Sequence, residues 1–180
     1  MEAQTEAILL EIKLLQDAIG FSLSDLADNR LGLLSAGQSL LLRRQIRTKG
    51  AISATLLAAA IAVGALFGAP VLELVITLCA VYYIGSAVLL LVDRSRGTVR
   101  VIDGLLQRGR RSYFVGGLLS LKAHNWTVGV TRVAVSAAAY HAAIVGLPHR
   151  VCITPLARLV VSAEPLLPVQ ELGDARGIKP

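Results

Sequence analysis

The stretch AVGALFGAPVLELV, residues 62–75, interrupts the most apolar part of this 180-residue chain and decides how the chain is organised. Residues 51–92 contain one charged side chain, Glu73, and a transmembrane helix needs about 20 apolar residues. Gly68 suits a left-handed helix end, and Pro70 suits the first turn of a following helix, where the helix dipole favours Glu73. We therefore predict a helical hairpin. Its two spans are residues 50–68 and 70–92.

The composition favours a membrane protein. The chain is 54% hydrophobic and only 17% charged, with a mean hydropathy of +0.65, whereas about 25% of the residues in a soluble domain are charged. No charged-then-apolar leader is expected in the first 50 residues. Cys79 falls in the second span and Cys152 beyond it, so no disulfide between them is predicted.

Basic residues flank the two spans and predict their orientation. The turn between the spans has no positive charge, so the positive-inside rule places both flanks and both termini in the cytoplasm, with the protein in the inner (plasma) membrane. The flanking residues are Arg43, Arg44, Arg47, Lys49, Arg94, Arg96 and Arg100.

The N-terminal arm has a helical pattern. Four apolar residues form one face of a helix that begins near Glu2, and Glu6 and Glu11 are expected off that face. This face predicts packing against the rest of the chain or, alternatively, a self-associating coiled coil. The four residues are Ile8, Ile12, Leu15 and Ile19.

Two more helices are predicted in the arm. Ser24 is a candidate cap for a short helix that runs through Leu33. The SAGQ stretch, residues 35–38, has the spacing of a capping box and predicts a third helix that continues through the arginines towards the membrane.

Beyond residue 92 the pattern predicts a small β-rich (α+β) domain with about five strands and one helix. Val99/Val101 and Val128/Val130 alternate as strand residues do, Gly116-Gly117 suggests a bend, and Ser136 and Gly146 bound a helix of about ten residues. The predicted strands are GTVRVID, SYFVGGLLSLK, WTVGVTRVAVS, RVCITP and RLVVSAE.

These elements predict a membrane protein in four segments. They are a helical arm (1–49), a transmembrane hairpin (50–92), a cytoplasmic β-rich domain (93–165) and an extended or disordered tail (166–180).

Two motifs carry a resemblance to a known group. NRLGLLSAGQ (29–38) and RVCITPLARLVVSAEP (150–165) resemble stretches of uncharacterised bacterial two-span integral membrane proteins with a C-terminal β domain. Cys152 and Ile153 stand where that group has aromatic residues. The resemblance implies the architecture and no activity.

Catalytic, metal and cofactor sites are not predicted. His149 and Cys152 are three residues apart on a strand and point to opposite faces, and His141 has no acid or histidine one helical turn away. His124 likewise belongs to no zinc-ligand spacing. We therefore predict that the protein is not an enzyme, and no small-molecule substrate is identified.

Two features of the spans have alternative interpretations. Glu73, the only ionisable residue in them, is either an interfacial carboxylate or part of an ion pathway. Small residues recur every four positions on the first span, and either the second span or another subunit packs against them. These small residues are Ala60, Gly64 and Gly68.

Charge points to the membrane surface. From residue 93 onward the chain has 12 basic and 5 acidic residues, a net charge of +7. Basic side chains near an anionic leaflet gain about 1 kcal/mol each. Aromatic residues for base stacking are few, so nucleic-acid binding is not predicted. The candidate lipid-contact residues are Arg94, Arg96, Arg100, Arg108, Arg110 and Arg111.

Two functions follow as hypotheses. The first is a membrane-anchored interaction module that presents the basic β domain to a protein or anionic lipid. The alternative is an accessory or assembly subunit of a larger membrane complex, contacted through the small-residue face. Membrane lipids and a protein partner or second copy are the expected partners.

Overall fold

The computed structural model describes residues 2–115 and 119–166. Side chains are not described for residues 2–5, 111–115 and 119–122. The predicted bend at Gly116-Gly117 and all but the first residue of the predicted tail (166–180) lie outside the described residues.

Two short helices open the chain: α1 (Glu2–Ile19) and α2 (Leu23–Arg30). Ser22, and not Ser24, caps α2, because its hydroxyl accepts the Asp25 N–H while the Asp25 carboxylate accepts the Ser22 N–H. The predicted cap was therefore wrong by two residues. The helix also ends three residues before Leu33.

The predicted capping box at Ser35 and Gln38 is confirmed, and it starts α3 (Ala36–Phe67). This helix continues for 32 residues without a break. Gly68 ends it in the left-handed conformation, with φ of 55°, and Pro70 begins α4 (Pro70–Arg96). The helix break predicted from residues 62–75 is thus confirmed.

Helices α3 and α4 are both long and apolar enough to cross a membrane. Only 11% of the most apolar window of each helix is buried within the chain. A core helix of a soluble protein would be mostly buried, so most of this apolar surface is left without a partner in the described parts of the chain.

Polar contacts fix the register of the hairpin. The Ser53 hydroxyl donates to the Ala80 carbonyl over 3.1 Å, and the Lys49 ammonium donates to the Ser86 hydroxyl. Lys49, the last charged residue of α3 before its apolar part, therefore lies beside Ser86. The stretch of α4 beyond Ser86 runs alongside the basic part of α3, where Arg94 also contacts Ser39.

Within the described residues, five antiparallel strands form one sheet in the order β3-β2-β1-β4-β5, which matches the predicted number. The bounds differ, because the predicted strands SYFVGGLLSLK and WTVGVTRVAVS each include parts of two strands. The strands are β1 (Arg100–Val115), β2 (Leu119–Val128), β3 (Thr131–Val135), β4 (Pro148–Ile153) and β5 (Val160–Pro165).

The first strand is longer than predicted. Residues 100–105 of β1 pair with β4, and residues 106–115 pair with β2. The QRGRR stretch, 107–111, therefore lies inside a strand and not between strands. Pairing with β2 satisfies its backbone. Arg108 and Arg110 lie on the same strand face as the buried Leu106, because side chains alternate between faces along a strand.

Two local predictions were wrong around the third strand. Val130 lies in the turn between β2 and β3 and is fully exposed, whereas Val128 is buried. Ser136 caps the next helix as predicted, but α5 (Ala137–Ala142) has six residues and ends well before Gly146.

The N-terminal arm and the sheet share one hydrophobic core. Helix α1 packs on β5 and α5, so its apolar face is covered by its own chain. Trp126, the only tryptophan, is completely buried at the centre. The arm contributes Leu15, Phe21 and Leu26, and the sheet contributes Leu106, Val128, Val133, Val151, Ile153, Val160 and Ala163.

The segment before α3 (residues 32–34) and the segment after α4 (residues 97–99) join the hairpin to this core, and the two segments pair with each other. The Leu34 N–H donates to Gly97 O, and the Val99 N–H donates to Gly32 O. Leu33 and Thr98 form an isolated bridge between these bonds. The hairpin and the sheet domain are therefore joined by two paired segments, which gives more rigidity than a single linker.

Candidate functional site

Asp93 holds the sheet domain to the end of α4. It is completely buried, and its carboxylate accepts the N–H groups of Leu156 and Ala157 over 2.7 to 3.2 Å. These two residues lie in the loop between β4 and β5, in which Arg158 has a positive φ of 51°. Sequence reasoning missed Asp93. The signal was an acid standing at the start of the basic stretch DRSR.

A cavity lies where this loop meets the hairpin, and we call it the junction cavity. Its volume is about 450 Å³, within the range of small-molecule sites. Polar groups from both helices line it, together with leucines from α4 and from the loop. The lining residues are Gln45, Lys49, Tyr82, Gly85, Ser86, Leu89, Leu90, Leu156, Ala157 and Leu159.

The candidate lipid-contact arginines do not form one cluster in space. Arg94 donates to the Ser39 hydroxyl, and Arg96 and Arg100 are exposed beside the end of α4. Arg110 lies ten residues along β1 from Arg100, about 33 Å at the rise of an extended strand. The side chain of Arg111 is outside the described set.

Arg108 has intramolecular partners. Its guanidinium donates to the carbonyls of His141 and Ala143 and lies over the Tyr140 ring at 5.2 Å. It therefore completes the C-terminal end of α5, where carbonyls lack helical partners. This contact also explains in part why α5 stops at Ala142.

The small-residue face of α3 lies against α4. Ala60 is buried between the two helices, and a Cβ atom added to Gly64 would come within 2.5 Å of Glu73 Oε2. Gly64 thus makes the space that the Glu73 carboxylate occupies. Gly68 has no neighbour at its Cβ position and serves as the helix cap.

The histidines and cysteines lie apart from the junction cavity. His149 Nε2 is 2.9 Å from Glu11 Oε1, and both side chains are fully buried. Glu11 was expected off the apolar face, but it points into the core. Cys152 lies on the opposite face of β4 among Val99 and Val161. Burial raises the pKa of its thiol, and the hydrogen bond with Ser162 opposes this only in part.

The rings of His124 and His141 both lie close to the Tyr140 ring, in tilted and edge-on arrangements. Among the residues that the structure describes, no three His, Cys, Asp or Glu side chains come together as a metal site.

The two motifs that carried the resemblance contact each other. Asn29 donates to the Ser162 hydroxyl over 2.7 Å, Gln38 donates to the Val161 carbonyl, and Arg30 pairs with Glu164 through two bonds. The Glu164 contact raises the pKa of Arg30. The first motif therefore lies along the edge strand β5. Comparisons with protein families, with curated proteins and with solved structures found no match for this chain, so the resemblance stays a hypothesis.

Proposed function

We propose that this protein is a non-enzymatic membrane protein whose hairpin anchors the sheet domain at the cytoplasmic membrane surface, where it binds anionic lipid headgroups. The observation that carries the proposal is the pair of long apolar helices with little buried surface, whose basic residues all lie at the end that holds the domain. A bilayer would cover the apolar surface, and its headgroups would meet the basic residues.

The charges support the lipid as the partner. In the described residues, two acids near this end are engaged: Asp93 binds two backbone N–H groups, and Glu164 pairs with Arg30. Five arginines at the end of the hairpin are exposed and form no ion pair within the described chain. They are Arg43, Arg44, Arg47, Arg96 and Arg100. Attraction to an anionic leaflet is the interaction that such residues favour.

The cytoplasmic placement of both termini and the plasma membrane location rest on the positive-inside rule. The alternative function, an accessory subunit that docks on the small-residue face, has less support. Helix α4 already covers Ala60 and lies against Gly64, so this face has no room for a second helix.

The test uses the full chain, because α1 and α2 contribute to the domain core and a detached 97–165 fragment would lack them. The protein is reconstituted in nanodiscs of mixed phosphatidylcholine and phosphatidylglycerol. Lipids that stay with it on gentle extraction are counted by native mass spectrometry at low and high salt. We expect enrichment of phosphatidylglycerol that declines with salt, since exposed charges are screened within about 10 Å at 0.1 M.

The matched variants change two arginines each. Arg96→Gln with Arg100→Gln should lower the enrichment, whereas Arg110→Gln with Arg132→Gln, both on exposed strand positions and neither beside the end of α4 in the chain, should not. Equal effects of the two pairs, or no enrichment in the unmodified protein, would contradict lipid binding at this end. A co-purifying protein of fixed stoichiometry that is lost with Arg96 and Arg100 would assign the surface to a protein partner instead.

A further inference from the structure

We propose that the junction cavity is a binding site for one anionic glycerophospholipid, with the phosphate near Lys49 and the acyl chains leaving along α4. This proposal rests on the proposed membrane placement of the hairpin. It adds a single defined site to the diffuse attraction of the surface arginines.

The depth of the cavity fits the headgroup region. Lys49 lies 18 positions before Phe67, the last residue of α3. At a rise of 1.5 Å per residue, this distance along the helix is about 27 Å. The hydrocarbon core of a bilayer is about 30 Å thick. With the hairpin tip at one surface, Lys49 and Ser86 lie at the opposite hydrocarbon boundary, where lipid phosphates and glycerol groups are found.

The lining matches an amphipathic ligand. Lys49 supplies a positive charge, and Gln45 and Ser86 supply hydrogen-bonding groups. None of the described residues around the cavity is acidic. Leu89, Leu90 and the two leucines of the β4–β5 loop form the apolar wall on the side of the sheet domain, and Tyr82 lines the side nearer the hairpin tip.

Tyr82 of α4 lines the cavity on the side nearer the hairpin tip. Tyr82, which is 72% exposed, lies one helical turn from Gly85 and Ser86 in the direction of the hairpin tip. An acyl chain can leave over this ring without a break in the apolar surface. The other wall is the loop that Asp93 holds, so a lipid in the cavity would touch both helices and the sheet domain.

Gly85 provides a direct way to fill the site. A Cβ atom added at Gly85 meets no atom within 4 Å, because the space beside it is open. Gly50 has the same open surroundings, but it lines an apolar groove with Ile46, Ser53 and Leu57 and not the junction cavity. Gly85→Leu and Gly50→Leu therefore add the same side chain to two exposed helix positions, of which only one lies in the site.

Native mass spectrometry after extraction from mixed phosphatidylcholine and phosphatidylglycerol nanodiscs provides the test. The unmodified protein should keep one phosphatidylglycerol at a salt concentration that removes the diffusely bound lipid, and an excess of inorganic phosphate should not displace it. Gly85→Leu and Lys49→Gln should each lose this lipid, and Gly50→Leu should keep it.

The outcomes separate this site from the surface proposal. The cavity assignment is wrong if Gly85→Leu keeps the lipid or if Gly50→Leu loses it. It is also wrong if the protein retains phosphatidylcholine as well as phosphatidylglycerol. If Arg96→Gln with Arg100→Gln leaves the overall enrichment unchanged while Gly85→Leu loses the single lipid, the cavity stands and the surface proposal fails. The reverse pattern removes the cavity and keeps the surface.

Discussion

Glu11 of α1 and His149 of β4 form a fully buried pair, with 2.9 Å between Oε1 and Nε2. The other ring nitrogen, Nδ1, lies 2.9 Å from the Leu147 carbonyl, which can only accept, so Nδ1 carries a proton. The same Glu11 oxygen accepts the Ile144 N–H beyond α5, so one side chain joins α1, α5 and β4.

Replacement of Glu11 with alanine should destabilise the sheet domain. It leaves the buried His149 ring and the Ile144 N–H without the carboxylate that they contact. The loss of one member of a buried pair costs about 3–5 kcal/mol. Denaturation in detergent, followed by fluorescence of the buried Trp126, measures the change. Glu6→Ala, on the exposed side of the same helix, is the control and should have no effect. Equal midpoints for the two variants would show that the pair adds little.

Gly64→Ala should weaken the hairpin, because the new Cβ atom would overlap the Glu73 carboxylate. Overpacking of this kind costs about 1–3 kcal/mol. The cost is smaller if the flexible Glu73 side chain moves away from the new Cβ atom. Glu73→Ala in the same chain should restore the loss, and Gly50→Ala, in open space, should cause none. Thermal denaturation of the unmodified protein, Gly64→Ala, Glu73→Ala and the double variant gives the coupling energy. Additive effects would mean that the two residues do not meet in the membrane.

Glu73→Gln alone should leave membrane insertion and protein level nearly unchanged, because the amide has the shape of the carboxylate and still fits beside Gly64. Abundance in membrane fractions is the measurement, with growth of the host as a second readout. A loss of growth at normal protein level would favour the ion-pathway interpretation.

Ala69→Cys and Val130→Cys should label from opposite sides of the membrane. Ala69 lies between α3 and α4, and Val130 is the fully exposed turn residue of the sheet domain. An impermeant maleimide should reach Ala69→Cys in intact cells and Val130→Cys only after lysis. The unmodified chain is the control, since Cys152 is buried and Cys79 lies on the apolar part of α4. Labelling of both from one side would exclude the hairpin topology.

Cys152 should react with iodoacetamide slowly in the folded protein, even at mildly alkaline pH. Burial raises the pKa of its thiol, so the thiolate forms at a higher pH in the folded protein than in the unfolded chain. The same shift means that its contribution to stability is complete below about pH 8.5, the ordinary cysteine value, and is lost as the pH rises further. Alkylation rates, compared in the native and denatured states, measure both effects.

Asn29→Ala should speed that alkylation, because Asn29 holds Ser162 on the neighbouring strand and its loss costs about 1–3 kcal/mol. Asp28→Ala, one position earlier and exposed, is the matched control. An unchanged rate in Asn29→Ala would show that β5 is held in place without this contact.

Local features of the sequence determined the elements of this protein. The Gly68–Pro70 break and the capping box at Ser35 follow from the backbone preferences of a few residues, and the number of strands follows from the apolar pattern, although the strand bounds did not. These preferences act within one turn or one strand, so a single sequence displays them.

Tertiary structure alone decided which residues meet. Glu11 looks like a surface residue of an amphipathic helix, and only the approach of β4 buries it against His149. The arginines of 94–111 look like a cluster in sequence, and the extended β1 spreads them over about 33 Å. Lys49, Gly85 and Leu156 surround the junction cavity because α3, α4 and the β4–β5 loop pack together. Such contacts depend on register and strand order, which residues far apart in sequence set jointly and no local pattern contains.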